Sequence, residues 1–200
     1  NQKSNKKSKK NNLTHEFKIF LKTKKINLQN QTILSNSIKL LKNLGDEPAN
    51  ILTPDNYVDR IKSVCKECGL KLKIHTHNDL KKMKMNSILS VADGSKYGGY
   101  LLEIKCDNNK HQPPIVLVGK GITFDTGGIS LKWAKKMYEM KGDMIGSAIV
   151  LAVMRNVALM KLKKNVVALL PIAENMLDGT STRPGDIITS YSGKTIEIKH

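Results

Sequence analysis

One stretch of the chain combines residue types that can bind a metal ion. It follows an apolar run and reads Val118-Gly-Lys-Gly-Ile-Thr-Phe-Asp-Thr-Gly-Gly-Ile-Ser-Leu-Lys132. Asp125 within it offers hard carboxylate oxygens to a divalent cation, and a second acid, Asp143, follows Met140-Lys-Gly. In open α/β sheets, ligands bind in the loops beyond the carboxyl ends of strands. We therefore predict that this stretch is such a loop and binds a divalent metal.

Two lysines, Lys120 and Lys132, lie on either side of Asp125. Beside two divalent cations an ammonium group gives up its proton more readily, because like charges repel. One lysine could then bind a metal as a neutral amine while the other stays charged. The alternative for each is an ordinary solvated side chain in a lysine-rich sequence.

Asp143 and the glycines also have alternative readings. Asp143 stands at the start of a predicted helix, where a carboxylate caps free N–H groups without any metal. The glycines allow a close approach to a ligand, and a phosphate could use such a loop. However, Gly119-Lys-Gly fits neither a dinucleotide fingerprint nor a P-loop. The residue types alone leave the metal site undecided.

Two helices that must support this loop are well marked. Apolar residues recur at helical spacing over 33–44, and Gly45 is predicted to end that helix. In the second helix, Thr53 is the predicted N-cap, Pro54 suits the first turn and Gly69 follows the last residue.

Short apolar runs predict the strands. They lie at 70–74, 87–92, 100–105, 115–118 and 166–170, and a long helix is predicted at 143–160. The run 115–118 is continuously apolar, which is typical of a buried strand. Strand, loop, helix, strand is the order of an α/β sheet with crossover connections.

Charge and composition restrict the partners. The net charge is +17, but nine lysines against Glu16 give the first 25 residues +8, and the other 175 carry +9. Residues 1–32 are therefore predicted to be a basic, largely disordered tail or linker. The cations are nearly all lysines, whereas nucleic-acid recognition favours arginine, so nucleic acid is disfavoured as the main partner.

The cysteines and apolar runs bear on the cell compartment. Three cysteines without a signal-like segment favour a reducing, cytoplasmic location, although targeting upstream of residue 1 stays open. Cys65 and Cys68 have metal-ligand spacing, but without a second pair they are predicted to lie on one helix face. His75 and His77 are predicted to be surface residues sharing one side. No apolar run reaches the roughly 18–20 residues of a membrane span.

Four segments together resemble the leucyl (M17) aminopeptidases, in order and without gaps. They are Leu117 to Lys132, Met140-Lys-Gly-Asp-Met144, Pro171-Ile-Ala-Glu-Asn-Met176 and Arg183 to Glu197. Weaker similarity at 44–54 and 90–95 extends the resemblance to roughly residues 38–200. It implies a mixed, mostly parallel sheet flanked by helices, with residues 33–200 forming the N-terminal portion of an incomplete catalytic metallopeptidase domain.

The resemblance also assigns roles by position. Lys120 would bind the second metal through its amine, Asp125 would bridge both metals, and Asp143 would complete the second metal's ligands. Lys132 would be the charged catalytic residue that binds the substrate and polarises the scissile carbonyl. Met140 would line the pocket for the first side chain, with ordinary packing as its alternative.

Neighbouring polar residues are expected to support that site. Glu174 and Asn175 follow a predicted buried strand at family-like positions, and we expect them to assist rather than to perform chemistry. Asp186 is expected to order the turn formed with Pro184-Gly185.

The resemblance implies a metalloexopeptidase. Its cofactors would be two divalent ions, zinc with manganese or magnesium at the looser site, with bicarbonate as a further candidate. Its substrates would be peptides with N-terminal Leu or other apolar residues, and it would assemble as a homo-hexamer. The family's remaining ligands would lie beyond His200, so these 200 residues alone are expected to be inactive. The alternative is a non-catalytic member of the same fold, either truncated or nucleic-acid-binding.

Overall fold

The fold is described by a computed structural model, which covers residues 28–109 and 112–199. Helices and strands are distributed along the whole of this part. In chain order they are α1 (Gln29–Asp46), α2 (Pro54–Cys68), β1 (Lys71–His75), α3 (His77–Lys82), α4 (Asn86–Ala92), β2 (Tyr100–Asp107), β3 (Ile115–Val118), β4 (Gly121–Asp125), a 3₁₀ helix (Met137–Gly142), α5 (Ile145–Leu159), β5 (Asn165–Asn175), β6 (Ile187–Thr189) and β7 (Thr195–Glu197).

β5 is the centre of a five-stranded mixed sheet. β2 pairs with it antiparallel on one side and carries β1, while β3 and β4 pair with it in parallel on the other side. Among these five strands β2 alone runs against the rest. The predicted mixed, mostly parallel sheet flanked by helices is therefore confirmed. β6 and β7 form a separate antiparallel pair.

β3 and β4 behave as one interrupted strand. Val118 is in register with Leu169, and after a gap of two residues Gly121 is in register with Ile172, which keeps the same offset. A bulge between Ile122 and Asp125 then shifts the register. The sequence analysis took this whole stretch as loop and missed β4, because its glycines and polar residues hide the strand pattern.

Helices cover the two faces of the sheet unequally. α1, α2 and α5 share one apolar core with inward residues of β2 and β5, such as Leu102, Ile104, Ala168 and Leu170. α4 lies on the opposite face, where its side chains and those of Pro171 and Ala173 line a cavity.

The ends of α2 follow the predicted signals. The Thr53 hydroxyl accepts a hydrogen bond from the Asn56 N–H, and Gly69 ends the helix in the left-handed conformation. α1 starts at Gln29, inside the segment assigned to the tail, and continues through Gly45 to Asp46. The domain division stays a prediction, since residues 1–27 lie outside the described part.

Two strand predictions need correction. The run 87–92 is helical in α4, because an apolar run this short fits either period. β3 is an edge strand rather than a buried one, with Val116 54% and Val118 68% exposed. It pairs with β5 on one side and with no other described strand on the other side.

Thr76 and Asp79 form a capping box that starts α3 at His77. His75 and His77, which the sequence analysis placed together, therefore belong to different elements.

One segment of the described residues, 137–159, has the length and apolar composition of a membrane span. Within it only the 15 residues of α5 are α-helical. At 1.5 Å per residue they cover about 22 Å, less than the ~30 Å of a bilayer core. Half of α5 is buried against the sheet, so we interpret it as a core helix.

Candidate metal centre

The predicted site residues lie where β3, β4 and β5 end. Lys120 stands in the gap between β3 and β4, and Asp125 is the last residue of β4. Asp125 is in register with Asn175, the last residue of β5. Because β4 and β5 are parallel, their polar ends meet at the same edge of the sheet.

Asp125 is a carboxylate surrounded by donors. Its Oδ1 accepts hydrogen bonds from Asn175 Nδ2 at 2.7 Å and from the Gly127 N–H at 2.9 Å, and its Oδ2 contacts the Lys132 ammonium. Burial alone would raise the pKa of Asp125, but these three donors together hold it below its ordinary value. The side chain is therefore a stable anion.

A tight loop brings Lys132 back to Asp125. The Thr126 N–H and hydroxyl both donate to the Asn175 carbonyl, at 2.9 and 2.8 Å, and the Lys132 N–H donates to the Thr126 carbonyl at 2.9 Å. Gly127 between them has φ +90°, and a Cβ there would lie 2.4 Å from the Ser130 carbonyl oxygen. Only glycine fits this position.

Lys132 and Met140 are in contact. The Lys132 ammonium donates to Met140 Sδ at 3.3 Å. Met140 belongs to the 3₁₀ helix, which packs against β4. Met140 is therefore adjacent to the lysine that pairs with Asp125.

Asp143 has the second lysine as its partner. Lys120 Nζ lies 3.0 Å from Asp143 Oδ2, but not in a hydrogen-bonding direction, so this buried oxygen accepts no hydrogen bond. Asp143 follows the 3₁₀ helix and does not cap α5, whose N-cap is Met144 and has no side-chain cap bond. The capping alternative is therefore not realised, and Asp143 has one carboxylate oxygen that is ion-paired but accepts no hydrogen bond.

These residues fit a divalent cation as part of its ligand set. The buried Asp143 oxygen faces the positive charge of Lys120 without accepting a hydrogen bond from it, and Asp125 is held charged. Within residues 28–109 and 112–199, however, no three His, Cys, Asp or Glu side chains form a ligand group. The candidate ligands are two carboxylates and an amine, Lys120.

A cavity of about 350 Å³ opens beside this edge. Lys120, Asp125 and Asn175 line its polar end, and Ile88 and Val91 of α4 line its apolar part. Its volume suits a small ligand. The sequence analysis missed the α4 wall because it assigned 87–92 to a strand. A larger cavity of about 540 Å³, between α3 and β2, contains none of the predicted site residues.

The remaining sequence candidates lie outside this centre. Cys65 and Cys68 are unpaired on α2; burial, with a smaller effect from Cys68, raises the pKa of Cys65 to about 11, so its thiol is unreactive. His77 Nδ1 accepts the Gly99 N–H at 3.2 Å, and its Nε2 lies 3.5 Å from Asp93.

The three supporting residues differ in where they act. Asn175 assists Asp125, as described above. Glu174 instead accepts a hydrogen bond from the Ser95 hydroxyl at 2.7 Å and lines a different cavity. Asp186 accepts the Arg183 N–H at 2.9 Å, which lowers its pKa and orders the turn as predicted.

Known proteins match this chain over most of its length. A model of the cytosol aminopeptidase family, catalytic domain, matches residues 39–200. A probable cytosol aminopeptidase from Herminiimonas arsenicoxydans is 47% identical over 165 residues, which are 82% of this chain and 33% of that protein. Another from Ralstonia pickettii (strain 12J) is 43% identical over 178 residues, or 88% and 36% of the two chains.

Solved structures give the same match. The bottromycin maturation enzyme BotP in complex with Mn superposes with a TM-score of 0.79 at 34% identity, covering 86% of this chain and 37% of that chain. A leucine aminopeptidase from Caenorhabditis elegans gives 0.82 at 31% identity, covering 86% and 36%. The chain thus spans about a third of the length of the relatives it matches.

Proposed function

This chain belongs to the cytosol aminopeptidase (M17) family, as its motifs predicted, and on that premise we propose that the protein is a metal-dependent aminopeptidase. It would release N-terminal Leu and other apolar residues from peptides. The observation that carries the proposal is the pairing of two carboxylates with two lysines, Asp125 with Lys132 and Asp143 with Lys120, around the ends of β3 and β4.

Each residue then has a role that its contacts support. Two divalent ions, when bound, would activate a water and stabilise the oxyanion formed at the carbonyl. Asp125 would bridge them, and Asp143 and the Lys120 amine would hold the second. Lys132, which stays charged, would donate a hydrogen bond to the scissile carbonyl. Its contact with Met140 Sδ supports a pocket wall for the first side chain beside that lysine.

The finer assignments rest on the family. The Mn-containing BotP structure supports a divalent ion, and we propose zinc with manganese or magnesium at the looser site, with bicarbonate as a further cofactor that serves as base. The relatives' name, cytosol aminopeptidase, supports a cytoplasmic location. We also propose a homo-hexamer, and that the remaining ligands follow His200, so that the 200 residues alone are inactive.

The test is hydrolysis of a leucyl substrate by the full-length protein. We expect release of Leu that a chelator stops and added Mn²⁺ or Zn²⁺ restores. Asp125→Ala should lower kcat/KM by at least about 100-fold, because it removes the carboxylate that would hold both ions. Asp178→Ala, an exposed acid outside the centre, is the matched control and should keep activity. Full activity in Asp125→Ala, or none in the wild type, would contradict the proposal.

A further inference from the structure

Ser147 connects the two segments that carry Lys120 and Asp143. It lies in the first turn of α5 and is fully buried. Its N–H donates to the Lys120 carbonyl at 2.8 Å, and its hydroxyl donates to the Met144 carbonyl at 2.7 Å. Ser147 is thus hydrogen-bonded to the main chain of Lys120, one proposed ligand, and to the main chain of Met144, which adjoins Asp143, the other.

The Lys120 carbonyl depends on this contact. Lys120 stands in the gap where β3 and β4 stop pairing with β5, and its carbonyl turns to α5 instead. The approach is close: a Cβ on Gly119 would lie 2.6 Å from Ser147 Cα, and one on Gly146 would lie 3.3 Å from the Lys120 main chain. α5 therefore lies directly against the strand break, without room for a larger residue on either side.

Tyr57 of α2 supports Ser147 from below. Its hydroxyl lies 2.8 Å from Ser147 Oγ, and both side chains have no exposed surface. Since the single Ser147 hydroxyl proton is used at Met144, Tyr57 must be the donor. Burial raises the pKa of Tyr57, so the phenol keeps the proton it donates.

We propose that Ser147, held by Tyr57, is a positioning residue that sets the separation of Lys120 and Asp143 for metal binding. The inference rests on the proposed function. The Lys120–Asp143 ion pair is linked to Ser147 through the main chain on both sides, so loosening Ser147 lets the two ligands separate. Neighbours of this kind typically change metal affinity by about 10-fold to 100-fold when removed.

Mn²⁺ binding to the full-length protein tests this, measured from the paramagnetic resonance signal of free Mn²⁺. Ser147→Ala keeps the N–H bond to Lys120 but removes the hydroxyl's bonds to Met144 and Tyr57, which fix the first turn of α5. We expect it to weaken Mn²⁺ affinity by about 10-fold. Ser37→Ala is the matched control, because Ser37 is equally buried and its hydroxyl donates to Asn156 at 2.6 Å, away from the centre. Ser37→Ala should lower the unfolding temperature as much as Ser147→Ala does. It should leave the Mn²⁺ affinity within about twofold of the wild-type value, because the bonds of Ser37 join α1 to α5.

Tyr57→Phe provides a second variant that keeps the ring and removes only the hydroxyl. As a single substitution it should weaken Mn²⁺ binding. Combined with Ser147→Ala it should weaken Mn²⁺ binding little further, because Tyr57 acts through Ser147. If the wild type binds no Mn²⁺, the proposed function fails. If the wild type binds and Ser147→Ala binds equally well, or Ser37→Ala loses as much, only the positioning role is overturned. If Ser147→Ala does not fold, the Tyr57→Phe affinity decides.

Discussion

At the scale of single residues, Asp125 shows how a metal ligand is prepared. Burial disfavours its charge, but the Lys132 ammonium, the Gly127 N–H and the Asn175 side-chain amide together favour it more strongly. The glycine at 127 is required for one of these donors, because its φ is positive and its Cβ position is occupied. The anion is thus set by local geometry before any cation arrives.

A surface carboxylate, Asp79, gives a prediction about pH. Hydrogen bonds from the Thr76 hydroxyl and N–H hold its pKa below the ordinary 3.8. A depressed folded-state pKa contributes stability above the ordinary value, and this is lost as pH falls through the folded value. The unfolding temperature of Asp79→Asn should therefore fall less between pH 5 and pH 2 than that of the wild type.

Thermal unfolding followed by circular dichroism at several pH values measures this difference. Asp178→Asn is the control, because Asp178 is an exposed carboxylate between β5 and β6 that caps no helix. An Asp79→Asn curve parallel to that of the wild type would show that the cap contributes nothing to acid sensitivity.

At the scale of elements, the centre depends on an interrupted strand and the helix that covers the interruption. β3 and β4 share one register against β5, and the two residues between them leave the ladder. α5 packs against this gap through the bond from the Ser147 N–H to the Lys120 carbonyl. The 3₁₀ helix before α5 contains Met140 and packs against β4, and Asp143 directly follows it. Bulges and breaks of this kind re-aim side chains at sites, which is what happens to Lys120 and Asp125.

The start of α2 allows a second stability prediction. The Thr53 hydroxyl accepts the Asn56 N–H, and Thr53 is nearly buried. Thr53→Ala should lower the free energy of unfolding by about 1 kcal/mol, or roughly 2–4 °C for a chain of this size. Thr32→Ala, at an exposed position in α1, should change it less. Equal unfolding temperatures for the two variants would contradict a capping role.

At the scale of the whole molecule, the sheet has one open apolar edge. Ile115, Val116 and Val118 of β3 are each about half exposed or more. Such an edge can pair with another chain, whereas the net charge of +17 opposes close approach at low salt. The 200-residue chain should therefore associate as salt is raised.

Sedimentation velocity against salt and protein concentration tests this association. Val116→Lys should reduce it severalfold, because a charged side chain on an edge strand blocks pairing. Ile51→Lys adds the same charge at an exposed apolar residue outside the sheet and should have little effect. If both variants suppress association equally, net charge rather than the edge is responsible.

The sequence by itself determined the family, the ends of α2, and the residues Lys120, Asp125, Lys132, Met140 and Asp143 as the candidate centre. These follow from local signals in the sequence, which are helix caps, glycines and motifs that occur in the family's order. Their pairing follows from the fold alone, because Lys120 meets Asp143 only where α5 closes on the strand break.

Only the tertiary structure decided the rest. Whether 87–92 is helix or strand, whether β3 is central or at an edge, and whether Asp143 caps α5 all depend on what packs against them. Tyr57 and Ser147 carried no signal in the sequence, since each reads as an ordinary helix residue. Their hydrogen bond joins two buried hydroxyls on helices that are distant in the chain. No local sequence pattern predicts such a bond.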